Sequence, residues 1–182
     1  MSVIHFVLGG ARSGKSSFAE QQVLELTRQQ DKRPVYLATA TNIDDEMTSR
    51  IVKHQADRGN EWQLLECPLA LAETIPSLNK SNIYLLDCLT LWLNNQLYGV
   101  IDKSNGQQKQ HLQAEIDKLL TSLSHTSVEI VIVSNEVGLG VIPIGESTRL
   151  YVDYCGWLNQ GVAKIADKVT LVTAGIPLTI KS

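Results

Sequence analysis

The chain has 182 residues, 43% hydrophobic and 19% charged, with a formal net charge of −3, which is the balance of one globular domain spanning 1–182 with a sizeable core. No run of lysine or arginine advertises a nucleic-acid partner or a polybasic membrane anchor, and no apolar run approaches the ~20 residues a bilayer demands. The N-terminus enters a predicted strand at once, so no secretory leader is expected; Cys67, Cys88 and Cys155 lack CxxC spacing and are expected to be buried, reduced thiols of a cytoplasmic protein.

Residues 3–8 (VIHFVL) read as a strand buried on both faces, and residues 17–28 as a helix with Phe18, Val23 and Leu26 on its apolar side. Between them Gly9, Gly10, Ala11, Arg12, Ser13, Gly14, Lys15 and Ser16 fit GxxxxGK[ST]. The chemistry needs this spacing. Glycines let successive backbone N–H groups turn around a phosphate, Lys15 reaches the β- and γ-phosphates, and Ser16 offers a hydroxyl to a bridging Mg²⁺. The competing reading is a glycine-rich turn with an incidental lysine, which the flanking strand and helix disfavour.

Residues 35–40 (VYLATA) form a second predicted strand. Thr39, Ala40 and Thr41 lie at its carboxyl end, where a parallel sheet opens its ligand crevice, and they are candidate pocket residues. A second helix is predicted over 43–58, capped by Asn42 and closed by Gly59, with Met47, Ile51 and His54 on one face and Arg50 and Arg58 nearby. A histidine so placed is ordinarily structural. Residues 62–67 read as a short strand and 68–78 as a short helix interrupted near Pro76.

Residues 83–86 (IYLL) are a third apolar run, closed by Asp87. An acidic residue ending a buried strand downstream of a phosphate loop suits the carboxylate of a Mg²⁺ shell, although Asp87 also suits a cap for the helix predicted over 89–98. Residues 99–108 are polar with two glycines and read as a mobile loop. A long helix follows with Leu112, Ile116, Leu119, Leu120 and Leu123 on one face. Residues 128–133 make a fourth main strand ending in Ser134, Asn135 and Glu136; Glu136 fits a base, a metal-shell group or a solvated loop carboxylate equally. A helix over 149–166, a strand over 168–173, a turn at 174–177 and an antiparallel edge segment over 178–181 complete the chain. Alternating β and α elements imply an α/β fold with a mainly parallel sheet, helices on both faces and an antiparallel C-terminal edge, and with the GxxxxGK[ST] loop after the first strand the expectation is a P-loop NTPase (RecA-like) fold.

Taken together, GGARSGKS, DDEMTSRIVKH, LLDCLTLWLNN, VSNEVGLGVIP, GWLNQ and AGIPL resemble the bifunctional adenosylcobinamide kinase and adenosylcobinamide-phosphate guanylyltransferase of cobalamin synthesis, across nearly the whole chain. Two departures stand out: Val152 where many relatives are expected to carry arginine before Asp153, and Lys53 where some carry a second histidine. The resemblance implies phosphorylation of adenosylcobinamide by ATP or GTP, then transfer of GMP from GTP to adenosylcobinamide phosphate. It implies a guanylyl-histidine intermediate on His54, Mg²⁺ as cofactor, and a homo-oligomer, commonly a trimer. Guanine needs an acceptor for its N1–H and exocyclic amine; among Asp57, Glu61 and Glu66, the choice falls on Glu66. The rival readings are a phosphate-loop kinase of another metabolite, and a nucleotide-driven binding module, which would want a basic surface that this acidic chain does not show.

Overall fold

A computed structural model describes residues 3–40 and 61–182. The helix predicted over 43–58, with His54 and Arg58, lies outside the described residues, as does Thr41. In chain order the described elements are β1 Ile4–Gly9, α1 Lys15–Gln30, β2 Arg33–Ala38, β3 Gln63–Glu66, α2 Leu71–Thr74 running into a 3₁₀ turn at Ile75–Ser77, and β4 Asn82–Asp87. They continue with α3 Leu89–Tyr98, α4 Asn105–Ser124, β5 Glu129–Asn135, α5 Glu146–Ile165, β6 Lys168–Thr173 and β7 Ile176–Lys181.

The strands form one sheet in the order β3-β2-β4-β5-β1-β6-β7, parallel except for the antiparallel β6–β7 pair. All six residues of β1 are buried, because the strand is central and covered on both faces. Alternation sorts the side chains. Ile4, Phe6 and Leu8 face a cluster built with Leu93 of α3, Leu112 and Ile116 of α4, and Leu158 of α5, whereas Val7 joins Ala19 and Val23 of α1. In β4 Leu86 takes the first face and Ile83 and Leu85 the second; in β5 Ile132 takes the first and Val131 and Val133 the second. By the same period Asp87 and Asn135 project on the side of α1.

The expected loop at 99–108 is shorter than its composition suggests. Ser104 caps α4 by accepting from the Gln107 backbone N–H at 3.4 Å, while the Gln107 side chain accepts from the Ser104 backbone N–H at 3.2 Å. This reciprocal cap begins the helix at Asn105 and leaves only a tight turn before it; the S-x-x-Q spacing was its sequence signal. The turn before β7 is tighter than expected too: Ala174 and Gly175 both adopt positive φ (51° and 79°), so the edge strand begins at Ile176.

Candidate active site

The phosphate loop leaves the carboxyl end of β1 and feeds α1. Gly14 sits at φ +91° as the N-cap of that helix and makes no side-chain cap, and the first turn carries no acidic residue. The early N–H groups of α1 are therefore not claimed by a cap, at the positive end of a 16-residue helix, which is the arrangement that binds an anion. Gly9 is required by space. A Cβ there would overlap Ser13 Oγ and lie 2.6 Å from the Val172 carbonyl oxygen on the neighbouring β6. The loop is held by Ser13 N–H donating to Gly10 O at 3.3 Å and by Gly175 N–H donating to Ser13 O at 2.8 Å. Ala11 and Arg12 form its exposed crest, Arg12 at φ 56°.

Lys15 is only 9% exposed, and its ammonium donates to Gly10 O at 3.2 Å, folded back against its own loop with no carboxylate partner among the described residues. A buried, unpaired ammonium is unfavourable unless a negative ligand arrives. Ser16 follows, half-buried in the first turn of α1.

Asp87 ends β4 on the same side of the sheet, two strand positions from β1 and hence about 10 Å across. Its Oδ2 accepts from the Tyr36 hydroxyl at 3.0 Å, which orients the carboxylate. The capping alternative is not realised: the N-cap of α3 is Cys88, and no side chain caps it. The Cys88 thiol is pushed up to about 11, by burial first and by the charge of Asp87 second, with Lys15 among the opposing influences. Hydroxyl and carboxylate are hard oxygen donors, and the described residues hold no cluster of three or more His, Cys, Asp or Glu for a metal. Hard oxygens of this kind suit Mg²⁺, which takes one or two protein oxygens and completes its shell with phosphate and water.

The other candidates lie outside the phosphate loop. Thr39 is fully buried: its hydroxyl donates to Cys88 O and accepts from Cys88 N–H, both at 2.8 Å, and its backbone N–H reaches Asp87 O. It fastens the end of β2 to the Asp87–Cys88 corner. Sequence alone shows a small polar residue at a strand end and does not reveal that its hydroxyl is already used. Ala40 is half-buried just beyond. Glu66 is exposed at the carboxyl end of β3, an edge strand four positions from β1, roughly 19 Å away. Glu61 lies in an exposed turn, and Asp57 falls outside the described residues.

Glu136 is tied to the loop by its backbone, whose N–H donates to Gly9 O at 3.2 Å, while its Oε1 accepts from Gly138 N–H at 3.1 Å. Burial first, then the charge of Glu136, pushes the Cys155 thiol of α5 up to about 12. All three cysteines are free and buried.

Sequence comparison decides between a generic phosphate-loop protein and a particular family. Residues 5–180 match the family described as cobinamide kinase / cobinamide phosphate guanyltransferase. The chain belongs to that family. Two similar members are bifunctional adenosylcobalamin biosynthesis proteins: CobP of Pseudomonas aeruginosa, 44% identical over 176 residues (96% of this chain, 95% of the relative), and CobU of Escherichia coli, 34% identical over 182 residues (96% and 98%). Among solved structures, a KaiC-like protein of Pyrococcus horikoshii aligns at TM-score 0.45 and 10% identity, covering 93% of this chain and 70% of its own; family membership does not rest on it. Within the cobinamide kinase / cobinamide phosphate guanyltransferase family, this chain carries the GxxxxGK[ST] motif between β1 and α1.

Proposed function

We propose that this chain is a bifunctional transferase of cobalamin biosynthesis that phosphorylates adenosylcobinamide and then converts the phosphate to adenosylcobinamide-GDP. The observation that carries the reading is the uncapped, lysine-bearing phosphate loop in a chain matched to the family over 5–180. In the kinase step, the corrinoid hydroxyl oxygen bonds to the γ-phosphorus of ATP or GTP, the bond to the β-phosphate oxygen breaks, and the hydroxyl proton is lost to solvent. Lys15 and the loop amides stabilise the charge that moves onto the leaving diphosphate. Ser16 and Asp87 are the residues to hold Mg²⁺, which would neutralise phosphate charge when bound.

In the guanylyltransferase step, an imidazole nitrogen of His54 attacks the α-phosphorus of GTP and pyrophosphate leaves. The corrinoid phosphate then attacks the same phosphorus, the P–N bond breaks, and His54 is regenerated. Arg58 stands near His54 in sequence, and Glu66 is the proposed acceptor for guanine. A homo-oligomer, a trimer by family likeness, and a cytoplasmic location belong to the same proposal. Among the described residues no helix is long and apolar enough to cross a membrane.

The test is mass spectrometry of the full chain after incubation with GTP and Mg²⁺. An acid-labile, alkali-stable GMP adduct on His54 is expected. A folded His54→Ala protein is expected to lose guanylylation and keep corrinoid phosphorylation. An adduct on another residue, or equal loss of both activities, overturns the histidine assignment; failure of the wild-type protein to act on cobinamide overturns the whole reading.

A further inference from the structure

Two buried side-chain oxygens among the described residues have no hydrogen-bond partner, Ser13 Oγ and Asn135 Oδ1. They flank the same glycine. Ser13 Oγ fills the space that a Cβ of Gly9 would take, and Asn135 on β5 stands in register with Gly9, about 4.8 Å across the ladder. By alternation with Val131 and Val133, the Asn135 side chain projects on the face of α1, as does Asp87 one strand further on. Asn135 therefore stands between the strand that bears the phosphate loop and the strand that ends in Asp87.

The position of Asn135 is fixed from the opposite face by a buried polar pair. Asn159 Nδ2 donates to Asn135 O at 3.0 Å, and the Ser134 hydroxyl donates to Asn159 Oδ1 at 2.7 Å; Ser134 is fully buried and Asn159 is 5% exposed. The following amide, of Glu136, donates to Gly9 O. Buried polar groups are ordinarily paired, so a strand end gripped this firmly while its own carboxamide oxygen has no partner points to one supplied in another state. The two groups are chemically complementary: a hydroxyl carries a proton and a carboxamide oxygen accepts one.

We propose that Ser13 and Asn135 form a latch that closes when nucleotide phosphates fill the loop, the Ser13 hydroxyl donating to Asn135 Oδ1 and the Asn135 Nδ2 amide thereby turning to donate to the terminal phosphate. This rests on the nucleotide reading above and extends it to triphosphate discrimination. Asn135 then touches the phosphate, while Ser13, Ser134 and Asn159 are positioning residues. The alternative with the same two oxygens is an ordered water that bridges them whether or not nucleotide is present.

The test is equilibrium binding of GTP and of GDP to the full-length protein, its Ser13→Ala, Asn135→Ala and double variants, and Asn135→Asp, each checked by circular dichroism and thermal melting. Asn135→Ala is expected to weaken GTP binding by about tenfold or more, as loss of a hydrogen bond to a charged group does, and to leave GDP binding nearly unchanged. The Ser13→Ala loss is expected to fold into the Asn135→Ala loss, so the double variant is no worse than Asn135→Ala. Asn135→Asp, isosteric but with an oxygen where the amide donated, is expected to discriminate against GTP more strongly, and it carries the test if the alanine variant does not fold. An unchanged GTP-to-GDP ratio in folded variants, or additive losses, overturns the latch and favours the bridging water. Wild-type protein that binds neither nucleotide overturns the nucleotide reading and the latch with it.

Discussion

Gly9→Ala perturbs the site through geometry alone. The added methyl would sit 2.6 Å from Val172 O and 3.2 Å from Ser13 Cβ, and would overlap Ser13 Oγ. The Ser13 hydroxyl can rotate away. Val172 O cannot, because it belongs to β6, which pairs with β1 from His5 to Gly9, and any retreat opens that ladder beside the loop. Overpacking of this kind costs about 1–3 kcal/mol, a large share of the 5–15 kcal/mol that holds a typical domain. The loop amides are displaced as well, and a shift of about 1 Å at a reacting centre can cost roughly a hundredfold in rate. Urea unfolding should show a lower midpoint at unchanged m-value, and calorimetry should show weakened GTP binding. Gly10→Ala is the control, since among the described residues no atom beyond its immediate chain neighbours lies within 4 Å of a Cβ placed there. It should leave stability within about 1 kcal/mol of wild type. Equal stability and nucleotide affinity for Gly9→Ala, or equal damage from Gly10→Ala, would refute the steric argument.

Lys15→Ala removes an ammonium whose hydrogen bond among the described residues goes to its own loop, so the fold should survive while both kinase and guanylyltransferase rates fall at least about a hundredfold, read by steady-state kinetics. Near-normal turnover in either reaction would separate the two sites. Asp87→Asn keeps a group that can still accept from the Tyr36 hydroxyl but removes the charge, so it should raise the Mg²⁺ concentration needed for activity without lowering the melting temperature by more than a few degrees. An unchanged metal requirement would remove Asp87 from the metal shell. His5 is buried in β1 with Nε2 at 2.9 Å from Thr170 Oγ1, and burial first, then the charge of Lys168, pushes it down to about 4. The native state holds it neutral while the unfolded chain takes a proton near pH 6.5, so stability should fall as pH drops from about 6.5 to 4, by at most about 3 kcal/mol, and level off below. His5→Gln should flatten that part of the urea-midpoint profile; stability that rises on acidification through this window would contradict the assignment.

The sequence by itself determined the elements whose causes are local. The run 3–8, the glycine spacing and the helix after it needed only period and residue type, and β1, the loop and α1 follow within two residues of those expectations. The parallel sheet with an antiparallel edge was legible for the same reason, as was Asp87 as the last residue of a buried strand. Tertiary structure alone decided what each polar residue at a strand end faces. Thr39 and Asn135 look alike in sequence, each a polar residue closing an apolar run. Long-range pairing sets β2 against β4, so the Thr39 hydroxyl is consumed by Cys88, and it sets β5 between β4 and β1, so Asn135 is left beside Gly9 with an unpaired oxygen. Strand order is the reason: it depends on which distant segments bury one another's faces, and no window of neighbouring residues carries that information.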